Sequence, residues 1–191
     1  MSGNVLAGNI DEFDGAYMMT RLVDYIVEHL SQQIKAGCDT VQVFDSWASD
    51  LGEEHIIPYC YEPTAQIVER LRALHPDVGI IVFPRLIGEE INNFSKYVNA
   101  DCISLSDDMK TDWILKRMGH QCLQGGIPPQ VLLSEHREDI LRGTVPMIRQ
   151  MKDCAYVVNL AHGINKETPV ENVRFFIEIV KRNRENITRE T

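Results

Sequence analysis

The feature that most restricts the fold is the regular succession of helical and extended periods along the chain. "RLVDYIVEHLSQQIKAG", residues 21–37, places apolar residues at helical spacing and stops on Gly37, and "TVQVFD", 40–45, follows as a short β-branched run. The same order recurs in "EPTAQIVERLRALHP" before "GIIVFP", in "EEINNFSKYVNA" before "DCISLS", and in "MKTDWILKRMG" before "QCLQG". "SEHREDILRGTVPMIRQMKD" then leads to "AYVVNLAHG", and "VENVRFFIEIVKR" closes the series. Strands apolar on both faces and joined by helices predict a parallel sheet covered by helices. Gly37, Pro76, Asn99 and Gly119 supply the turns between helix and strand. The pattern predicts a polar, acidic leader over residues 1–16, one β/α domain over 17–183, and a frayed tail over 184–191.

Composition narrows the class. A chain of 191 residues with 44% hydrophobic and 25% charged residues is long enough for one domain with a sizeable core. No apolar run reaches the roughly 20 residues of a membrane span, and the amino terminus lacks the basic and apolar regions of a signal peptide, so a cytoplasmic protein is expected. Cys38, Cys60, Cys102, Cys122 and Cys154 are odd in number and widely spaced, which favours reduced thiols over a disulfide framework. No Cys-x-x-Cys pair suggests a structural zinc. A net charge of −9 argues against nucleic acid as a partner but allows a local basic pocket for a small anion.

In parallel α/β architectures ligands collect at the carboxyl ends of the strands. Those positions read Asp45-Ser46-Trp47, Pro84-Arg85, Ser106-Asp107-Asp108, Gly125-Gly126-Ile127-Pro128-Pro129 and His162-Gly163. The first offers an acceptor, a donor and a flat apolar wall for a polar aromatic ligand, and equally a helix N-cap. Arg85 can clamp a carboxylate through two parallel hydrogen bonds, or pair with Glu89 or Glu90 at the surface. Ser106 or Asp107 is placed to cap the next helix. The paired glycines allow close backbone approach to a ligand, but neither a dinucleotide fingerprint nor a Walker lysine is present. His162 can cap a core strand or stand at the mouth of a pocket.

"AGCDTVQVFDSWASDL", "VGIIVFPR", "QCLQGGIPPQVLL" and "VVNLAHGINKETPVENVRFFIEIV" together resemble the carboxyl-terminal half of the uroporphyrinogen decarboxylase family over roughly residues 20–183. The resemblance implies a (β/α)8 TIM barrel of which this chain holds about the last five β/α units. It also implies a cytoplasmic homodimer without metal or organic cofactor, in heme and porphyrin biosynthesis. The implied reaction removes carboxyl groups from the four acetate side chains of uroporphyrinogen III to give coproporphyrinogen III. The family's substrate-contacting serine and histidine map onto Ser46 and His162, and Arg85 lies where some members carry a basic residue.

Two departures accompany the match. The family's Arg-Gln-x-Gly-Arg-Tyr motif and its catalytic aspartate in Phe-Ser-Asp-Ile belong to an amino-terminal half and do not occur here, so no catalytic residue is assigned to this chain. The family's Gly-Asn-Leu-Asp-Pro is replaced by Gly125-Gly126-Ile127-Pro128-Pro129. A full barrel has eight strands in about 250 residues, so five units would leave open edges. The expectation is a split-gene half completed by an amino-terminal chain, a truncated product, or a remnant that dimerises to cover its open side, the alternative function being a catalytically inactive remnant or a tetrapyrrole-binding protein.

Overall fold

A computed structural model of the chain describes residues 12–190. They divide into two compact units, one ending at Asp101 and one beginning at Cys102. The first holds α1 (Glu12–Lys35), β1 (Thr40–Asp45), α2 (Glu53–Ile56), α3 (Glu62–Leu74), β2 (Gly79–Pro84) and α4 (Ile91–Val98). The second holds β3 (Cys102–Leu105), α5 (Thr111–Met118), β4 (Cys122–Gly125), α6 (Arg137–Gln150), β5 (Tyr156–Val157) and α7 (Val170–Glu190). Of the expected leader, residues 1–11 lie outside the described residues and α1 begins at Glu12; α7 runs on through the expected tail to Glu190.

In the first unit β1 and β2 pair in parallel, from Thr40 opposite Gly79 to Asp45 opposite Pro84. Helical spacing puts Val23, Val27 and Leu30 on the buried face of α1, and Ile67, Val68 and Leu71 of α3 are buried with them. Burial of each such side chain contributes about 1.5–3 kcal/mol. An ion pair between Asp24 and Arg70 at 2.8 Å joins the two helices where both side chains are partly exposed. On β1, Val41 and Val43 are buried, but Phe44 on the opposite face is 65% exposed. Burial on both faces, expected of every strand, therefore fails at Phe44, whose ring meets Phe83 edge-on at 6.2 Å.

The second unit pairs β3, β4 and β5 in parallel and in chain order. All four residues of β3 are buried, as the apolar run predicts. Ile127, Leu132, Ile140, Ile148, Phe176 and Ile179 form the core beneath α6 and α7. β5 is the exception: "AYVVNLAHG" keeps only two strand residues, with Val157 45% exposed and a single further bridge from Leu160 to Ile127. Asn159 explains the interruption, because its side-chain oxygen takes the Leu160 N–H at 2.8 Å and competes with the ladder. Five strands alternating with helices, parallel within each unit and paired there with their neighbours in sequence, give the partial α/β barrel pattern.

Candidate functional site

The carboxyl ends of β1 and β2 bring two of the three expected site residues together. Asp45 and Pro84 are the last paired residues, and the Arg85 N–H donates to the Asp45 carbonyl at 3.0 Å. Ser46 and Arg85 therefore leave the sheet side by side, Ser46 exposed and Arg85 half-buried. Leu86, directly after Arg85, has φ of 57°, a left-handed conformation that few branched side chains adopt and that fixes how the chain turns away from β2.

The simpler roles open to these residues are not the ones observed. Among the described residues no ion pair includes Arg85. The Glu90 carboxylate instead accepts the Tyr61 hydroxyl at 3.1 Å and the Asn93 amide at 3.2 Å. Neither Asp45 nor Ser46 caps a helix, since the short turn Ala48–Asp50 starts from Trp47 with no side-chain cap. The Asp45 carboxyl takes hydrogen bonds from the Cys60 thiol and the Trp47 N–H, yet burial outweighs both and pushes its pKa above the usual carboxylate range. The same burial and the nearby Asp45 charge push the Cys60 thiol far up, so it stays protonated.

Two cavities open at this end of the first unit. One, of about 600 Å³, is lined among others by Leu51, Ile56, Tyr61, Leu86, Glu90 and Asn93. The other, of about 280 Å³, is walled by Met18, Met19, Trp47, Leu51 and Tyr59, with Asp45 contributing to the lining.

His162 stands in the second unit, one residue past the last anchored position of the β5 segment, where the Ala161 N–H donates to the Ile127 carbonyl at 2.7 Å. Its Nδ1 lies 2.9 Å from the Gly163 carbonyl oxygen. A carbonyl can only accept, so this contact puts the proton on Nδ1 and leaves Nε2 as the nitrogen able to meet a ligand.

The glycine pair has a clear structural task. Gly125 and Gly126 have φ of 80° and 87°. A Cβ on Gly125 would lie 3.1 Å from the carbonyl oxygens of both Leu105 and Leu160, and one on Gly126 would lie 2.5 Å from Cε of Met147. The close approach is to the neighbouring strands and to α6. Ser106 and Asp107 do not cap α5, which begins after Lys110 without a side-chain cap; Ser106 is instead buried. The sequence reading missed Asn172, whose amide donates to the carbonyls of Leu132 and Ser134 at 2.8 and 2.9 Å and so ties α7 to the loop after β4. No local spacing signals that bond, which spans 40 residues. Among the described residues no cluster of three or more His, Cys, Asp or Glu could hold a metal ion, and no helix is long and apolar enough to cross a membrane.

Comparison with known proteins adds a family. The family model for uroporphyrinogen decarboxylase (URO-D) matches residues 12–183. A uroporphyrinogen decarboxylase of Orientia tsutsugamushi is 34% identical over 160 residues, covering 84% of this chain and 47% of its own. One from Cereibacter sphaeroides is 31% identical over 166 residues, with 86% and 48% covered. One from Paracoccus denitrificans is 31% identical over 167 residues, with 87% and 48% covered. The chain spans about half the length of the curated relatives it matches, and the match is to their carboxyl-terminal half.

Proposed function

The chain belongs to the uroporphyrinogen decarboxylase family, and on that premise we propose that it forms the carboxyl-terminal part of a site that decarboxylates the acetate side chains of uroporphyrinogen III to give coproporphyrinogen III. The observation that carries the reading is the family match over residues 12–183. The placing of Ser46 and Arg85 side by side at the carboxyl ends of β1 and β2 supports it.

The chemistry assigns each residue a task. A pyrrole acetate can lose carbon dioxide once its ring carbon is protonated, because the resulting cation accepts the electron pair of the breaking carbon–carbon bond. The exocyclic carbon then takes a proton to become a methyl group as the ring proton is given up. The remaining carboxylates must be held still meanwhile. Arg85 binds one of them through charge-assisted hydrogen bonds, the Ser46 hydroxyl donates to another, and His162 meets the substrate through Nε2. No proton donor is assigned to this chain. That group belongs to an amino-terminal complementary chain, and two such pairs form the homodimer. Phe44, 65% exposed on its strand face, is apolar surface that such a chain would cover.

Binding tests the proposal. The chain mixed with an amino-terminal partner carrying the Arg-Gln-x-Gly-Arg-Tyr and Phe-Ser-Asp-Ile segments should bind uroporphyrin III, and His162→Asn should weaken that binding about tenfold, or about 1.4 kcal/mol, with an unchanged circular dichroism spectrum. Absence of binding by the mixture would overturn the proposal. Unchanged affinity in the variant would return His162 to a structural role.

A further inference from the structure

Residues 53–74 form one continuous helical run that changes pitch between α2 and α3. There the turn Ile57–Tyr61 is π-helical: the Glu62 N–H donates to the Ile57 carbonyl, five residues back. Pro58 and Pro63 carry no N–H, so two donors of the ordinary four-residue ladder are missing around this turn. Such turns are rare inside helices and occur frequently at functional sites. Its last two residues, Cys60 and Tyr61, are both buried, and each meets a different loop. Alternation puts the Asp45 side chain on the face of β1 that Val41 and Val43 bury, and there its carboxyl accepts the Cys60 thiol and the Trp47 N–H. The second of these bonds closes an Asx turn over Ser46, since acceptor and donor stand two residues apart.

The segment after β2 has a tether of its own. Leu86 and Gly88 both have φ of 57°, and the chain then enters α4 through a short turn, Gly88–Glu90. The Tyr61 hydroxyl lies 3.1 Å from both the carbonyl oxygen and the carboxylate of Glu90, and its ring meets Phe94 of α4 edge-on at 5.2 Å. Arg85 therefore begins a segment that is fixed at the strand by its N–H on the Asp45 carbonyl and at the helix by Tyr61.

We infer that the π-helical turn Ile57–Tyr61 positions both carboxylate-binding residues of the first unit: Cys60 fixes the backbone around Ser46 through Asp45, and Tyr61 fixes the segment after Arg85 through Glu90. The inference rests on the proposed function for the tasks of Ser46 and Arg85. Cys60 and Tyr61 are positioning residues; they touch no substrate and set where the hydroxyl and the guanidinium stand. What position 60 must supply is a hydrogen-bond donor, so a serine hydroxyl should serve there and an alanine methyl should not.

The test reads amide hydrogen exchange in the full chain, and uroporphyrin III affinity in its mixture with the amino-terminal complement. Cys60→Ala should raise exchange at the Trp47 N–H about tenfold and weaken affinity several-fold, whereas Cys60→Ser should keep both within about twofold of the parent. Tyr61→Phe should raise exchange at the Ile91 N–H, which donates to the Gly88 carbonyl, and weaken affinity several-fold while Trp47 is unchanged. Circular dichroism confirms folding of each variant, and Tyr61→Phe keeps the test decisive should Cys60→Ala not fold. Parent-like exchange in folded Cys60→Ala and Tyr61→Phe, or equal losses in Cys60→Ser and Cys60→Ala, would overturn the inference. Faster exchange with parent affinity would also overturn it, by leaving the turn a structural role alone. A parent mixture that does not bind uroporphyrin III would overturn the proposed function, while the exchange differences in the chain alone would still sustain the tie between the turn and the two loops.

Discussion

The Tyr156 hydroxyl donates to the Gly125 carbonyl at 2.6 Å, tying the short strand β5 to the end of β4. β5 pairs through only two residues, so this side-chain bond carries an unusual share of its attachment. Burial pushes the Tyr156 phenol well above its ordinary pKa, so the hydroxyl keeps the proton it donates. Tyr156→Phe is expected to cost about 1–3 kcal/mol by leaving a partly buried carbonyl without its donor. Urea unfolding checks the figure, and a midpoint equal to that of the parent would show that water replaces the bond at no cost.

Gly125→Ala should be harder to accommodate than a typical surface change. At φ of 80° an added Cβ is strained whatever its surroundings, and here it would also press on the carbonyl oxygens of Leu105 and Leu160 at 3.1 Å. The expected loss is about 1–3 kcal/mol. Gly163→Ala, with open space around its Cβ, is the matched control and should lie within about 0.5 kcal/mol of the parent.

In the core beneath α6 and α7, Leu132 and Ile140 are fully buried. Replacement of either by Ala is expected to cost about 2–5 kcal/mol, the transfer term together with the cavity left behind. Differential scanning calorimetry would register this as a lowered Tm, and a shift no larger than that of the Gly163→Ala control would contradict the packing described.

Asp45 predicts a pH dependence with a definite sign. Burial raises its pKa in the folded protein, whereas the unfolded chain titrates near the ordinary value of about 3.9. The folded state therefore holds that proton more tightly. The stability this contributes is complete below the unfolded value and is lost as pH rises through the folded one. Asp45→Asn removes this dependence, so the stability of the variant relative to the parent should rise as pH climbs above the ordinary carboxylate value and level off once pH has passed the raised value of the folded protein. Urea midpoints of both proteins across that range provide the check, and a pH-independent difference would contradict the account.

Much of the fold was legible because its signals are local. β1 and β2 coincide with the runs "TVQVFD" and "GIIVFP", and Gly37 and Asn99 take the positive φ their turn positions suggest. β5 was overread because apolar content marks burial without marking pairing, and one asparagine side chain sufficed to divert the backbone after Val158. At the site, the adjacency of Ser46 and Arg85 follows from strand register and could be anticipated. The Asp45–Cys60 contact, the Tyr61–Glu90 hydrogen bond and the two hydrogen bonds of Asn172 could not, since each joins positions far apart in the chain through side-chain geometry. The paired glycines suggested a ligand loop, and their backbone angles serve the packing of β4 against its neighbours.

The central claim is that this chain supplies the carboxyl-terminal part of a uroporphyrinogen decarboxylase site. The most direct measurement is anaerobic conversion of uroporphyrinogen III, followed by chromatographic separation of products by carboxylate number, with the chain alone and with the amino-terminal complement proposed above. The account predicts coproporphyrinogen III from the pair, none from the chain alone, and turnover reduced about tenfold or more when His162→Asn replaces the parent chain. A pair that binds together yet leaves uroporphyrinogen III unchanged would contradict it.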